Sequence, residues 1–220
     1  MALWKKFLHG LLDIVFPRDE YAKKIADMEA RELRNAIPAP THSPHPHITS
    51  ILKYKDPLAR SLVWNIKYRG DNDSAQKCAE LLYEEILAHI EENSGFHNKS
   101  FILIPIPISK ERFKERGWNQ MELVGDALFK IDGNNSFSYR KDILYKNKHT
   151  DSQTKTHNRK EREENLRDCF SIYTNRQISI KKAHIILIDD VYTTGSTIQE
   201  ARRTLVRAGA RSVHAFTIAH

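Results

Sequence analysis

The run Ile185-Ile-Leu-Ile-Asp189-Asp190-Val191-Tyr192-Thr193-Thr194-Gly195-Ser196-Thr197 constrains the fold of this chain more than any other segment. Four consecutive apolar residues without polar alternation suit an interior parallel strand, buried on both faces. Carboxylates at the C-terminal end of such a strand point into the crevice where open α/β sheets bind ligands. The hydroxyl-rich loop then runs into Ile198-Gln-Glu-Ala-Arg-Arg-Thr-Leu-Val-Arg-Ala208, a good helix former. Free backbone N–H groups and the positive end of the helix dipole therefore face one spot, suited to a phosphate. Gly195 lets the backbone approach closely. A phosphate beside paired carboxylates indicates a sugar phosphate, because the acids can hold vicinal ribose hydroxyls. The Gly-Lys-Ser/Thr ending of nucleotide-hydrolase loops is missing, as is the Gly-x-Gly-x-x-Gly dinucleotide fingerprint, which argues against a kinase or a nicotinamide dehydrogenase.

The rest of the chain fits an α/β protein of one main domain. Its 220 residues, 40% of them hydrophobic, are enough for a real core. No apolar run approaches the ~20 residues that span a bilayer. Lys5, Lys6, His9 and Asp13 interrupt the apolar start, so it does not read as a signal peptide. At helical spacing Leu3, Phe7, Leu11, Ile14 and Val15 form one stripe, which predicts a docking helix. Two distant cysteines, Cys78 and Cys169, argue for a reducing, cytoplasmic setting and against a disulfide scaffold. The net charge is +7, and residues 140–182 hold twelve Lys/Arg against six Asp/Glu, a local surplus of +6. Anionic partners follow from that concentration, whether phosphorylated substrate or nucleic acid.

A Pro/His-rich break at 37–47 follows a charged, helix-prone stretch, Ala22 to Ala36, in a helix expected over Asp19 to Ala36. We divide the chain there into a helical N-terminal extension, residues 1–48, and a main domain, 49–220. Helices are expected over Pro57 to Lys67, with Asp56 as N-cap, and over Ser74 to Glu92. A short buried strand is expected at Phe101 to Pro105. A helix over Gly117 to Lys130 would carry Met121, Val124 and Leu128 on one face. A further strand is expected at Ile143 to Tyr145. Residues 149–166 read as a polar loop leading into a short helix. Strand Ile185–Ile188, helix Ile198–Ala208 with Gly209 after it, and strand Val213–Ile218 complete the domain. Strands alternating with helices predict a parallel sheet covered on both faces.

The segment from Asp189 to Thr197 resembles the phosphoribosyl-pyrophosphate (PRPP) signature of type I phosphoribosyltransferases. Further stretches narrow the resemblance: Asn65-Ile-Lys67-Tyr68-Arg-Gly70, Ile104-Pro-Ile-Pro107, Arg112, Arg116-Gly117-Trp118-Asn119-Gln120, Thr150-x-x-Gln153, and Arg162-x-x-Asn165 with Phe170. In this order, over roughly residues 50 to 220, they resemble the ComF family of competence-associated, phosphoribosyltransferase-like proteins, GntX-type relatives included. The resemblance implies a type I phosphoribosyltransferase fold in a protein tied to uptake or use of external DNA. It implies that Asp189 and Asp190 hold the ribose hydroxyls. Val191, Tyr192, Thr193, Thr194, Gly195, Ser196 and Thr197 would form the 5'-phosphate loop. Thr150, Gln153, Arg162 and Asn165 would lie on a basic flap over the site. A pyrophosphate needs cationic or N–H donors, which Lys67, Arg112, Arg116 and the backbone at Gly117 can supply, with Asn119 and Gln120 as further candidates. Lys67 and Tyr68, just after an apolar helix, equally suit a snorkelling lysine and a packing tyrosine.

The resemblance also sets the expected cofactor. Mg2+ would arrive with PRPP, held through the substrate and the two aspartates rather than in a dedicated protein cage. Typical ComF proteins carry an N-terminal zinc finger with paired Cys-x-x-Cys motifs, whereas no cysteine precedes Cys78 here, so no zinc is expected. The helix before the break would do by packing what zinc does in relatives. Thr193 stands where purine-salvage enzymes have a carboxylate suited to act on the base, which weakens a purine-salvage assignment. Two function classes stay open: a PRPP-binding protein of DNA uptake, and a phosphoribosyltransferase acting on a nitrogenous base or amine. Expected partners are PRPP or another ribose phosphate, single-stranded DNA through the basic flap, and the DNA-uptake machinery.

Overall fold

The computed structural model describes residues 20–41, 45–94, 101–133, 136–148, 167–173 and 180–220. Strands β1 (Ile48–Leu52), β2 (Phe101–Pro105), β3 (Ser138–Tyr139), β6 (His184–Val191) and β7 (Ser212–Ala219) form one parallel sheet. Their order is β1-β7-β6-β2-β3. Strands β4 (Leu144–Lys146) and β5 (Phe170–Ile172) form a separate antiparallel hairpin. The helices are α1 (Glu20–Ala26), α2 (Ala30–Ala36), α3 (Pro57–Trp64), α4 (Asn72–Ser94), α5 (Lys110–Arg116), α6 (Gln120–Ile131) and α7 (Ser196–Arg207).

Strand periodicity assigns each central side chain to a layer. Ile186 and Ile188 enter a cluster with residues of α2, α3, α4 and α6, such as Leu33, Leu62, Leu82 and Val124. Ile185 and Leu187 enter a second cluster with Ile198, Ala201 and Leu205 of α7 and with Leu144 and Phe170 of the hairpin. Both faces of β6 are thus covered, which is why its sequence shows no polar alternation. The chain leaving β2 goes to β3, while the chain leaving β6 goes the other way, to β7. The crevice between the C-terminal ends of β2 and β6 is therefore a topological switch point.

Several elements depart from the expected boundaries. The single helix expected over Asp19 to Ala36 is two helices, because Glu29 starts α2 afresh, its N–H bonded to Glu32 Oε2 at 2.8 Å. Ile25, Ala30, Leu33 and Ile37 lie in the same apolar cluster as α3 and α4. Lys77 of α4 is buried and reaches the end of α1, donating to the Ile25 carbonyl at 2.8 Å and the Ala26 carbonyl at 3.3 Å. An ammonium there adds a donor to the carbonyls of the last turn, of which that of Ile25 also accepts from the Met28 N–H at 3.2 Å. The helix expected over Gly117 to Lys130 is also broken. Residues before it are already helical as α5, and Gly117, at φ +82°, closes that helix with its N–H on the Phe113 carbonyl. Asn119 then opens α6, accepting from the Met121 N–H at 3.0 Å.

The helix expected to run from Pro57 to Lys67 begins as foreseen, with Asp56 capping the Leu58 N–H at 2.9 Å, but it widens into a π-turn over Asn65–Arg69. Strand β4 is one residue later than expected. Strand β6 is longer at both ends, so the two aspartates lie within it. Strands β1, β3 and β5 have no counterpart in the sequence reading. The apolar stripe from Leu3 to Val15 and the flap residues Thr150, Gln153, Arg162 and Asn165 lie outside the described residues.

Candidate functional site

The site begins where β2 stops. Its last pairing sets Pro105 beside Ile188, and the Ile106 N–H closes the ladder on the Ile188 carbonyl at 3.0 Å. The next rung would join the Asp190 N–H to the Ile106 carbonyl, but that carbonyl accepts from the Asn119 amide at 3.2 Å and the Asp190 N–H turns to Asp189 Oδ1 at 2.9 Å. Strand β7 continues on the other side, pairing Asp189 with Thr217 and Val191 with Ala219. Asp189 and Asp190 therefore sit on a strand held along one edge and released along the other.

Alternation sends the two acids to opposite faces. Asp190, 8% exposed, follows Ile186 and Ile188 toward α6 and the π-turn. Its Oδ2 takes two donors, Lys67 Nζ at 3.0 Å and Gln120 Nε2 at 2.7 Å. Burial alone would lower the Lys67 pKa, but the charge and hydrogen bond of Asp190, with Asp189 behind it, raise it above the ordinary lysine value. Asp189 is half-buried and follows Ile185 and Leu187 toward the hairpin. Desolvation first, and then the charge of Asp190, hold its carboxyl well above the usual carboxylate range, while the Asp190 N–H, Lys67 and Lys146 pull the other way.

The loop after the acids is built around one glycine. Gly195 lies at φ +75°, and a Cβ there would come within 2.5 Å of the Tyr192 ring. The ring itself packs edge-on against His220, 5.0 Å between centroids. The Tyr192 N–H bonds the Ala219 carbonyl at 2.9 Å, which ties the loop to β7. Thr194 and Ser196 share a 2.9 Å hydroxyl contact, and Thr193 is exposed. Gly195 precedes the first residue of α7, so hydroxyls and the first backbone N–H groups of that helix gather at one point.

The remaining candidates arrive on α5, α6 and the turn between them. Arg116 donates to Gln120 Oε1 at 3.2 Å, and its guanidinium lies 5.1 Å over the Tyr68 ring. Arg112 is near enough to Arg116 to help lower that residue's pKa, although desolvation is the larger cause. Asn119 is buried, and its amide bonds the Ile106 carbonyl at 3.2 Å while its oxygen caps α6. It thus ties the start of α6 to the loop leaving β2. The structure brings Lys67, Arg116 and Gln120 to the acid pair and gives Asn119 a supporting place beside them.

One site residue went unrecognised in the sequence, where it counted only as charge. Lys146 of β4 pairs across the hairpin with Phe170, and its Nζ lies 5.8 Å over that ring, on the face turned to the core. Desolvation lowers its pKa, Arg112 lowers it further, and Cys169 and Asp189 oppose the fall. The readable signal was alternation: Leu144 and Lys146 share a face, so a core-facing Leu144 carries Lys146 inward.

The donors suit Mg2+. Two adjacent carboxylates offer only oxygen, and Mg2+ takes one or two such groups while keeping waters and substrate phosphates. Asp189, the more exposed of the pair, is the readier ligand, since Asp190 already receives Lys67 and Gln120. Among the described residues no group of three or more His, Cys, Asp or Glu is placed to hold a metal on its own. No helix among them is long and apolar enough to cross a membrane.

Residues 130–220 match the phosphoribosyl transferase domain family. The competence protein ComFC of Bacillus subtilis (strain 168) is 38% identical over 170 residues, which cover 77% of this chain and 62% of the relative. The competence protein ComFC of Streptococcus pneumoniae is 32% identical over 152 residues, 69% of this chain and 59% of the relative. The DNA utilization protein YhgH of Salmonella typhimurium is 27% identical over 175 residues, 80% of this chain and 72% of the relative. The chain thus spans about three fifths of the length of the two ComFC relatives. Among solved structures, a hypoxanthine phosphoribosyltransferase of Staphylococcus aureus aligns with 66% of this chain and 62% of its own, at 14% identity and a TM-score of 0.38. One from Trypanosoma cruzi, in complex with the product IMP, aligns over 66% of each chain at 10% identity and a TM-score of 0.38.

Proposed function

The chain belongs to the ComF family of phosphoribosyltransferase-type proteins and has the type I phosphoribosyltransferase fold, and from that premise we propose that it binds PRPP or ribose 5-phosphate with Mg2+ and serves the uptake or use of external DNA. One observation carries the reading. The acid pair Asp189–Asp190, the Gly195 loop leading into α7, and the cations Lys67 and Arg116 are placed around one switch point. Residues 193–197 grip the 5'-phosphate, the aspartates hold the ribose hydroxyls, and Lys67, Arg112 and Arg116 face the pyrophosphate. Mg2+, when bound, neutralises pyrophosphate charge. Calorimetry with PRPP tests this. Saturable binding that strengthens with Mg2+ is expected, and no binding to the folded protein overturns the proposal.

A second reading, an active transferase, is favoured by the two adjacent acids together with the cations Lys67 and Arg116 beside them. The reaction would form a bond from C1 of the ribose to a nitrogen and break the bond from C1 to the pyrophosphate oxygen. Pyrophosphate would leave with that electron pair, and the nucleophile would lose its proton to solvent. Released pyrophosphate, measured with PRPP and candidate bases or amines, separates the transferase from a binding protein.

Single-stranded DNA is the proposed macromolecular partner. Tyr145 and Tyr173 pack at 4.4 Å on the hairpin, Tyr173 is 49% exposed, and both belong to the basic stretch 140–182. Contacts to phosphates release counterions, so binding to a labelled oligonucleotide should fall steeply with salt. A variant with Lys155, Arg159 and Lys160 changed to Ala should bind more weakly, and equal binding would place the DNA site elsewhere.

A further inference from the structure

Four contacts and one peptide bond close a ring around Asp190. Lys67 Nζ meets Asp190 Oδ2 at 3.0 Å, and Gln120 Nε2 donates to the same oxygen at 2.7 Å. Gln120 Oε1 accepts from Arg116 Nη1 at 3.2 Å, and Arg116 lies 5.1 Å over the Tyr68 ring. Tyr68 follows Lys67 in the π-turn, so the backbone completes the circuit. The orientation of the Gln120 amide is dictated by its neighbours, because its oxygen must face the cation and its nitrogen the acid. Gln120 is 5% exposed, whereas Tyr68 is 43% exposed on the rim. Burial accounts for the first side chain and not for the second.

The π-turn sets Lys67 and Tyr68 at different angles from those of an α-helix, and π-turns gather at functional sites. This one is pinned from two sides. The Trp118 indole N–H bonds the Ile66 carbonyl at 3.0 Å, and Gly70, at φ +60°, leaves room for the Trp118 ring where a Cβ would come within 3.0 Å. Trp64 supports the Tyr68 ring at 5.4 Å. Without this frame two cations would compete for the same carboxylates. With it, Lys67 stays on Asp190 while Arg116 is held one amide away, its contact with Gln120 using one of five guanidinium donors.

We infer that Tyr68 and Gln120 are positioning residues that hold Arg116 beside the acid pair rather than on it, ready for the phosphate end of an anionic ligand. The identity of that ligand rests on the function proposed above; the ring itself does not. The test titrates inorganic pyrophosphate into the protein with Mg2+ present, followed by calorimetry. Tyr68→Leu weakens binding about two- to fivefold, the range of a cation–π contact at an exposed site. Tyr68→Phe, which keeps a ring beneath the guanidinium, restores most of the loss. In an Arg116→Lys background Tyr68→Leu adds little, because its effect runs through the guanidinium, whereas a merely structural role gives additive losses. Without ligand, the Arg116 Nε–H resonance moves in Tyr68→Leu and in Gln120→Met. Equal pyrophosphate affinity in wild type and Tyr68→Leu, or full additivity, overturns the inference. If wild type binds no pyrophosphate, the proposed function fails, and the resonance decides this inference alone: movement supports it and an unmoved signal overturns it.

Discussion

Lys67 and Asp190 meet at 3.0 Å at the C-terminal ends of the strands, whereas nearer the N-terminal ends His214 and His89 stack with centroids 4.2 Å apart. Both pairs are partly desolvated by the same sheet, with opposite results. The acid raises the Lys67 pKa against the effect of burial. Among the described residues no acid raises the pKa of His214. Desolvation, then His89 and His47, lower its pKa to about 4, and its Nε2 shares a 2.9 Å contact with the Thr49 hydroxyl. Burial penalises charge in both places, and the opposite charge and hydrogen bond of Asp190 reverse the penalty at Lys67. The paired charges of this sheet thus lie at the switch point, and the histidines lie away from it.

The largest expected effect strikes the paired end through its backbone. Gly195→Val places a Cβ 2.5 Å from the Tyr192 ring at a φ of +75°. Strain and overpacking together should lower unfolding free energy by about 3 kcal/mol, read from urea titration, and PRPP binding should vanish. An unchanged midpoint would show that the loop is not built around the glycine.

Asp190→Asn attacks the same end through its charge. Affinity for PRPP should fall about 10- to 100-fold by calorimetry, the scale of a lost charged hydrogen bond. The Lys67 pKa should also drop, since burial would then act with less opposition. A Lys67 pKa that stays high would mean that Asp189 alone supplies the pairing.

The histidine end is probed by pH. The folded pKa of His214 lies below the ordinary histidine value of 6.5, so the folded state excludes a proton that the unfolded chain accepts. Its contribution is fully present above about 6.5 and is lost as pH falls toward 4, on the order of 2 kcal/mol in all. Urea midpoints of His214→Phe should lose less between pH 7 and pH 4.5 than those of wild type. The raised pKa of Asp189 has the opposite sign of pH dependence, and it cancels because both proteins retain that residue. Parallel profiles would remove His214 from the comparison.

The smallest effect sharpens the contrast between buried and exposed pairing. Lys141 and Asp126 lie 3.3 Å apart, with side chains 51% and 46% exposed. Lys141→Ala should change stability by less than about 0.5 kcal/mol. A larger loss would mean that exposed pairs matter here as much as the pair at the switch point.

The paired end was partly legible in the chain. Strand β6, its two acids, the glycine loop and helix α7 are contiguous, so period, turn chemistry and capping all speak about one stretch. The break at Gly117 was missed because a glycine reads equally as a helix start or a helix end, and only its φ of +82° decides. The π-turn was invisible for a similar reason: Asn65–Arg69 continues an apolar helix without proline or glycine until Gly70. Lys146 was hidden in a run of basic residues, where charge drew more notice than alternation.

By itself, the sequence determined the character of one local segment: a buried strand, adjacent carboxylates, and a hydroxyl- and glycine-bearing loop into a helix start, which depend on neighbours a few residues apart. It also carried the family resemblance that the relatives support. Only the tertiary structure decided which donors and cations serve each acid. Lys67, Gln120 and Lys146 come from three separate elements, and their approach depends on strand order, on a widened helical turn and on hairpin register. Those are set by burying two apolar faces of one sheet at once, a cooperative result that no local pattern in the chain records.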